Sequence, residues 1–548
     1  MSAIKQRNWY GSLKFPIPVA LLSTMAALHF KVESEVQVRV QVHGFIETLV
    51  SNNLSLMEPA LVIIPKKTRK HRLFHSAAWT CLLWFSSQAV AAVPAPDSAP
   101  GSLTLRVRDS LTGIAVPPRS VSVTGAETVT LNMIGSEGRQ LLAPGTQQID
   151  VSAEGYRASH SRFEVEPGMD LPVTVLLDPL VRPAELEPAV VNAKRKPGHA
   201  LFHGHIVQAA DGMPLAGVQV RLPGSNLKAV TDARGYFFLS APAPRVNAPP
   251  ALPPTVQLLA QVPGYRDYAI TDTFLADGLE THFLVEMERG SGQMGRSDLH
   301  KLAQDNTAGD LKKAASDQND ALMVEEIAAA QPSSFTPQVV TVPLDLRVGF
   351  NCTNRTNCST VTVLSLEQYV RRGLNDEWIA SWQGESLRSG AVAYRSYGAS
   401  FRAAPASSRY DICSNTFCQV NDADTSASTD AATNATAGAV LSRDSNTIFR
   451  SEYSAENNSW DDPNDGLSCS NTDRSCGNGS VGSPAAGWPC LADSVAVGRG
   501  CFGHGRGMSQ WGTQRWATQG RDWRWITNHY YNGNGNPSGL RSATIAQP

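Results

Sequence analysis

Hydrophobic and polar residues alternate with a period of two in two long stretches of the chain. Leu103, Leu105 and Val107 stand between polar residues, and Val218, Val220 and Leu222 repeat the pattern. That spacing puts one face of each segment in a core and the other in water, which predicts half-buried strands. Residues 103–178 and 203–288 therefore read as two all-β modules. They also resemble one another. Each opens on a strand and a turn, DSLTGIAVP or QAADGMPLAG, and each closes near a Gly-Tyr-Arg, at Gly155-Tyr156-Arg157 and Gly264-Tyr265-Arg266. Over residues 289–340 the periodicity gives way to Gly-Ser-Gly, mixed charge and the alanine-rich ALMVEEIAAAQPSS. This predicts a linker with some helical tendency and no function of its own.

From residue 341 the period changes twice. Val342, Leu344, Leu346 and Val348 alternate as a strand, and Val361 and Val363 supply another. Leu366, Tyr369, Val370 and Leu374 then take helical spacing. Ser365 with Gln368 three residues on is a capping-box start, so a helix is predicted up to about Glu377. A second helix is predicted from about Gly384 to Phe401, burying Leu387, Ala391, Tyr394 and Phe401. The chain turns helical again from Met508, and Trp523, Ile526 and Tyr530 pack a last helix.

At 548 residues the chain is too long for one ordinary core, and two to four domains are expected. A net charge of only −2 gives no electrostatic reason for a nucleic-acid partner. After Pro65, KKTRKHR supplies a basic region, LFHSAAWTCLLWFSSQAV an apolar stretch, and Ala89-Val90-Ala91 a small-x-small cleavage site. His75, Ser76, Thr80, Ser86, Ser87 and Gln88 interrupt the apolar stretch, which suits an export signal better than a membrane-spanning helix. Residues 57–91 are thus expected to be a signal peptide cut after Ala91, leaving no transmembrane anchor and a periplasmic or secreted protein. Residues 1–56 read as neither signal nor domain, so Met57 is the expected start.

Nine cysteines are present, and Cys81 lies in the signal. The remaining set, Cys352, Cys358, Cys413, Cys418, Cys469, Cys476, Cys490 and Cys501, is even in number and confined to the C-terminal region. In an exported chain that pattern predicts disulfides. The close spacings favour local bridges within Cys352/Cys358, Cys413/Cys418 and Cys469/Cys476, leaving Cys490 with Cys501.

The segment GHGRGMSQWG, residues 503–512, has glycine at every second position before a helical stretch. It lacks the Gly-Lys-Ser/Thr ending of a phosphate loop. Nor does a G-x-S-x-G surround Ser509, which argues against a nucleophilic serine. A tight turn passing close to a ligand accounts better for its backbone freedom.

LSLEQYVRRGLNDEW, ESLRSGAVAYRSYG, IFRSEYSAENN and GHGRGMSQWG with HYYNG, in that order, resemble the motifs of the stage II sporulation protein D family, also called the SpoIID/LytB or amidase-enhancer domain. The resemblance covers roughly residues 341–537. In the second β module, Thr231-Asp232 followed by Gly235-Tyr236-Phe237-Phe238 resembles a carboxypeptidase regulatory-like, transthyretin-like sandwich; the first module is the weaker match. The expected fold class is therefore multidomain, with two all-β transthyretin-like sandwiches followed by an α+β SpoIID-like catalytic domain.

The resemblance implies action on bacterial peptidoglycan. Sporulation members are lytic transglycosylases that cleave glycan strands with an acid matching Glu377. One carboxyl group suffices for that reaction, because the muramic acid 6-hydroxyl attacks its own anomeric carbon and leaves a 1,6-anhydro end. Trp378 and Trp382 would supply apolar surroundings that keep the acid protonated. Arg388, Arg395, Tyr453, His504, Ser509, Gln510 and Trp511 match motif positions expected to contact substrate. Arg388 stands where the family has Lys, and Ser389-Gly390 and Ser396 also depart from its pattern. The alternative implied by the amidase-enhancer name is a non-catalytic wall-binding protein that stimulates a cell-wall amidase. Some relatives bind zinc through Cys and His. Here Cys413 and Cys418 remain in SSRYDICSNTFCQVN, but Phe417 and other non-ligands replace the histidines, and two thiols do not close a four-ligand site. A disulfide is expected there, and no cofactor.

Overall fold

The computed structural model describes residues 99–246, 252–298, 340–442, 447–456, 493, 495, 507–532 and 543–546. All belong to the compact unit Ala91–Pro548. The expected signal peptide and upstream extension, His504, and Cys469, Cys476, Cys490 and Cys501 lie outside the described residues.

The two β modules share one connectivity. In the first, strand Gly101–Asp109 pairs in parallel with Asp170–Leu177 and antiparallel with Glu137–Leu142. In the second, His199–Gln208 pairs in parallel with Glu280–Met287 and antiparallel with Tyr236–Pro242. A further sheet completes each module, in the order Thr128–Thr130, Ser120–Thr124, Gly145–Ser152, Ser159–Val165 in the first. Its counterpart runs Lys228–Val230, Gln219–Arg221, Thr255–Gln261, Asp267–Phe274, with Gln293–Ser297 added. The alternating residues behave as their period requires, since Leu103, Leu105 and Val107 are fully buried.

The repeated Gly-Tyr-Arg has a physical reason. Gly155 and Gly264 take φ of 79° and 86°, a left-handed turn that glycine adopts without strain. The next residue then returns to the sheet. The Tyr156 hydroxyl donates to Asp109 Oδ2 at 2.9 Å, and the Tyr265 hydroxyl donates to Gln208 Oε1 at 2.7 Å, each at the end of its module's parallel-paired strand.

One expectation needs correction. The start of the span read as a linker is a strand, because Gln293–Ser297 pairs in parallel with Asp267–Phe274. Its glycine, Gly295, sits against the Ala269 backbone with no space for a Cβ. A glycine in this setting marks close strand approach, where a linker with some helical tendency was expected.

The C-terminal segment is built onto the modules. Strand Cys358–Ser365 pairs in parallel with Asp170–Leu177, so the first module's sheet continues through Asp345–Cys352 to Ile412–Cys413. Strand Asp424–Ser426 pairs antiparallel with Glu280–Met287. The same edge of each module is thus completed by the C-terminal region. A single hydrophobic core runs from the first module into the C-terminal helices, while the second module keeps its own.

The helices among the described residues are α1 (Pro188–Ala193), α2 (Leu366–Glu377), α3 (Gly384–Ser400), α4 (Ala427–Ala435), α5 (Gln510–Thr518) and α6 (Trp523–Tyr531). As expected, the Ser365 side chain caps α2 by accepting from the Gln368 N–H. Met508 is not yet helical; Met508–Ser509 forms a short strand before α5. Among the described residues two disulfides are present, Cys352–Cys358 across the ends of a hairpin and Cys413–Cys418. Among the described residues no helix is long and apolar enough to cross a membrane.

A buried carboxylate joins the first module to the C-terminal region. Asp345 accepts from Arg157 Nη2 at 2.5 Å, from Ser159 Oγ at 2.8 Å and from the His160 N–H at 3.0 Å. Asp345→Ala would leave three donors without their acceptor. It is expected to destabilise the fold by about 2–4 kcal/mol, measured as a lower urea midpoint with far-UV circular dichroism unchanged before the transition.

Candidate functional site

Glu377 is the last residue of α2 and is fully buried. The helix stops there because Trp378 is extended, while its N–H still closes the last turn onto Leu374 O at 2.8 Å. Two separate segments converge on the Glu377 carboxylate. The Val420 backbone N–H donates to Oε1 at 3.1 Å, and Gln510 Nε2 donates to Oε2 at 3.4 Å and to the Glu377 carbonyl at 2.6 Å. Gln510 is the first residue of α5 and fully buried, and its own Oε1 has no hydrogen-bond partner.

Aromatic side chains enclose this group. Trp378 lies 4.8 Å from Tyr453 between ring centres and donates through Nε1 to Thr513 Oγ1 at 3.1 Å. Gln419 bridges two phenols, accepting from the Tyr369 hydroxyl at 2.7 Å and donating to the Tyr453 hydroxyl at 2.8 Å. Burial first, and then the nearby Glu377 carboxylate, push the Tyr453 phenol well above its ordinary value. It therefore stays neutral and serves as a hydrogen-bonding group.

The glycine-rich motif reaches this site through a short parallel pairing, Tyr453 with Met508 and Ser454 with Ser509. Gly507 precedes it with φ of 73° and lies against the Glu452 carbonyl, so a side chain there meets both a strained backbone and a clash. Ser509 then caps α5, accepting from the Gly512 N–H at 2.8 Å and donating to Glu456 Oε2 at 3.0 Å. Trp511 packs 4.8 Å from Trp382 between ring centres.

The sequence-derived site residues thus divide. Glu377, Tyr453, Gln510 and Trp511 belong to one cluster, Gln510 directly on the carboxylate. Ser509 stands beside it with its hydroxyl engaged in the cap. Arg395 is fully buried and its guanidinium is used by the fold: Nε and Nη2 donate to Glu367 at 2.9 and 2.8 Å, Nη2 also to the Thr433 carbonyl, and Nη1 to the Ala439 carbonyl. Arg388 pairs with Glu385 one turn away, where both side chains are about a third exposed. The sulfurs of Cys413 and Cys418 are bonded to each other.

Sequence reasoning missed Gln419 and Val420. Their signal was the Cys413–Cys418 pair itself, because a bridge spanning five residues constrains the chain immediately before Gln419. Beyond Glu377, residues 380–382 help to line a cavity of roughly 580 Å³. Its other walls include Arg182, Arg195, Glu280 and Asp430.

Solved structures with local similarity include the Bacillus anthracis TIE protein (13% identity, TM-score 0.13, covering 35% of this chain and 34% of that one). A putative carbohydrate binding protein from Bacteroides uniformis shows 13% identity and a TM-score of 0.14, covering 30% of this chain and 92% of that one. The shaft pilin SpaA from Lactobacillus rhamnosus GG shows 10% identity and a TM-score of 0.11, covering 36% and 97%. At such TM-scores these similarities carry no weight. No curated protein matches the chain. The family described as Stage II sporulation protein, SpoIID, matches residues 354–442, which include Glu377, Arg395 and Val420. Residues 354–442 are thus similar to the SpoIID family, a similarity that suggests a cell-wall-related function.

Proposed function

We propose that the protein is an exported peptidoglycan lytic transglycosylase in which Glu377 protonates the glycosidic oxygen and then takes the proton of the muramic acid 6-hydroxyl. The carrying observation is the convergence of three separated segments on one carboxylate, the end of α2, Val420 after the disulfide loop, and Gln510 from the MSQWG motif. Val420 N–H and Gln510 would hold the carboxylate in position as it changes protonation state. Trp382 on the cavity wall suits stacking on a pyranose face, and the polar walls suit a hydroxyl-rich ligand. Glu377 is fully covered in this conformation, so a sugar reaches it only after the groups around it move.

That burial also favours the second reading, a wall-binding enhancer of an amidase in which Glu377 is a structural acceptor. Glu377→Gln separates the two. For an enzyme, release of 1,6-anhydromuropeptides from purified glycan strands, followed by mass spectrometry, is expected to fall by about 10²–10⁴-fold. Stimulation of a partner amidase that survives the substitution, together with no anhydro ends from wild type, would instead establish the enhancer.

Two further outcomes test the site itself. Cys418→Ser should reduce activity more than Cys352→Ser, because only the first loosens the segment carrying Gln419 and Val420; both are compared by kcat at equal folded fraction. Gly507→Ala should lower the melting temperature and activity together, since the added Cβ meets the Glu452 carbonyl at positive φ and costs on the order of 1–3 kcal/mol.

A further inference from the structure

Outside the Glu377 cluster, the described residues hold one group of carboxylates spaced for an ion. Ligand oxygens of Asp298, Asp422 and Asp424 all lie within 4.8 Å of one another. That is the separation of oxygens around a single cation at bond lengths of about 2.3–2.6 Å. A small cavity of roughly 40 Å³ adjoins them, lined by Asp298, Asp424, Asp376, Asn375 and Thr273 among others. Asp376 is only 9% exposed, and its Oδ2 has no hydrogen-bond partner. Asp424 Oδ1 and Asn375 Oδ1 are also buried without one. Asp376 Oδ2 and Asn375 Oδ1 without a hydrogen-bond partner, and Asp424 Oδ1 with only an Arg296 nitrogen at 3.6 Å, call for a ligand that accepts lone pairs.

The charge balance points the same way. Asp298, Asp376, Asp422 and Asp424 face two guanidinium groups, Arg296 and Arg372. Arg296 donates through Nε to Asp298 at 3.1 Å and lies 3.8 Å from Asp422 and 3.6 Å from Asp424. Arg372 donates to the Asp422 backbone carbonyl at 2.7 Å. The surplus is two negative charges before Glu377 and Glu286, which also act on this region, are counted. A buried group with that surplus must take up protons or a cation.

We propose that Asp298, Asp376, Asp422 and Asp424, with the Asn375 side-chain carbonyl, bind one divalent cation of the calcium class that clamps the second β module to the C-terminal region. The donors are all oxygen, which selects a hard ion, and a carboxylate-rich cage supplied by the protein suits Ca²⁺ better than Mg²⁺. Asp298 follows the added strand of the second module, and Asp422 and Asp424 lead into the strand shared with Glu280–Met287. Asp376 immediately precedes Glu377, so the ion would fix the end of α2 that carries Glu377. This site does not depend on the glycan reading.

The test uses the full chain stripped with EDTA and titrated with Ca²⁺, Mg²⁺ or K⁺ by calorimetry and thermal melting. One Ca²⁺ per chain is expected, with Kd between about 10⁻⁷ and 10⁻³ M and weaker Mg²⁺ binding. At 100-fold excess over Kd the melting temperature should rise by about 5 °C. Asp376→Asn keeps the shape while removing a buried charge. It should be at least as stable as wild type in EDTA and lose at least tenfold in Ca²⁺ affinity, as should Asp298→Asn. Folded wild type that binds no Ca²⁺ at millimolar concentration overturns the proposal. So does unchanged binding in the Asp298→Asn, Asp376→Asn double variant, and tighter binding of Mg²⁺ than Ca²⁺ overturns the choice of ion.

Discussion

An open sheet edge presents a row of unpaired N–H and C=O groups that must find partners. In both β modules the exposed edge belongs to the equivalent strand, Asp170–Leu177 in one and Glu280–Met287 in the other. The C-terminal region closes both, in parallel with Cys358–Ser365 and antiparallel with Asp424–Ser426. The modules are consequently part of the scaffold that the segment similar to the SpoIID family is built on. A reading of the chain as separate beads misses this, because strand pairing across segments leaves no local trace in either one.

Those two pairings locate the candidate site. The first strand runs directly through the Ser365 cap into α2, which ends at Glu377. The second begins four residues after Val420, whose N–H meets the same carboxylate. Glu377 thus lies between two anchors, one on each module. Gln510 arrives from a third direction, held by the pairing of Met508–Ser509 with Tyr453–Ser454. The disulfide Cys413–Cys418 tightens the loop between the anchors, so a redox-sensitive bond supports the geometry of a group that has no sulfur chemistry of its own.

Burial separates residues that motif matching treats alike. The sequence resemblance gives Arg395 and Gln510 the same expected role, contact with substrate, yet the Arg395 guanidinium is saturated by Glu367 and backbone carbonyls. Gln510 retains an unpartnered oxygen beside Glu377. An arginine on a helix can hold a fold or hold a ligand, and only its surroundings distinguish the two. The same holds for Ser509, whose hydroxyl serves as a helix cap.

Local features were legible in the sequence because their causes are local. Period-two alternation, the Ser365 cap, the end of α2 at Glu377 and the Cys352–Cys358 and Cys413–Cys418 bridges each depend on residues a few positions apart. The Gly-Tyr-Arg repeat likewise marked two modules whose connectivity proves to be the same. Tertiary structure alone decided what depends on distant residues. It brought Val420 and Gln510 to Glu377 across separations of 43 and 133 residues. It turned Gln293–Ser297 from an apparent linker into a strand, and it gathered Asp298, Asp376 and Asp424 from three segments around one cavity, with Asp422 beside two of them. The physical reason is that hydrogen-bond satisfaction and charge balance are properties of a neighbourhood in space, and sequence spacing reports a neighbourhood only over the length of a turn or a strand.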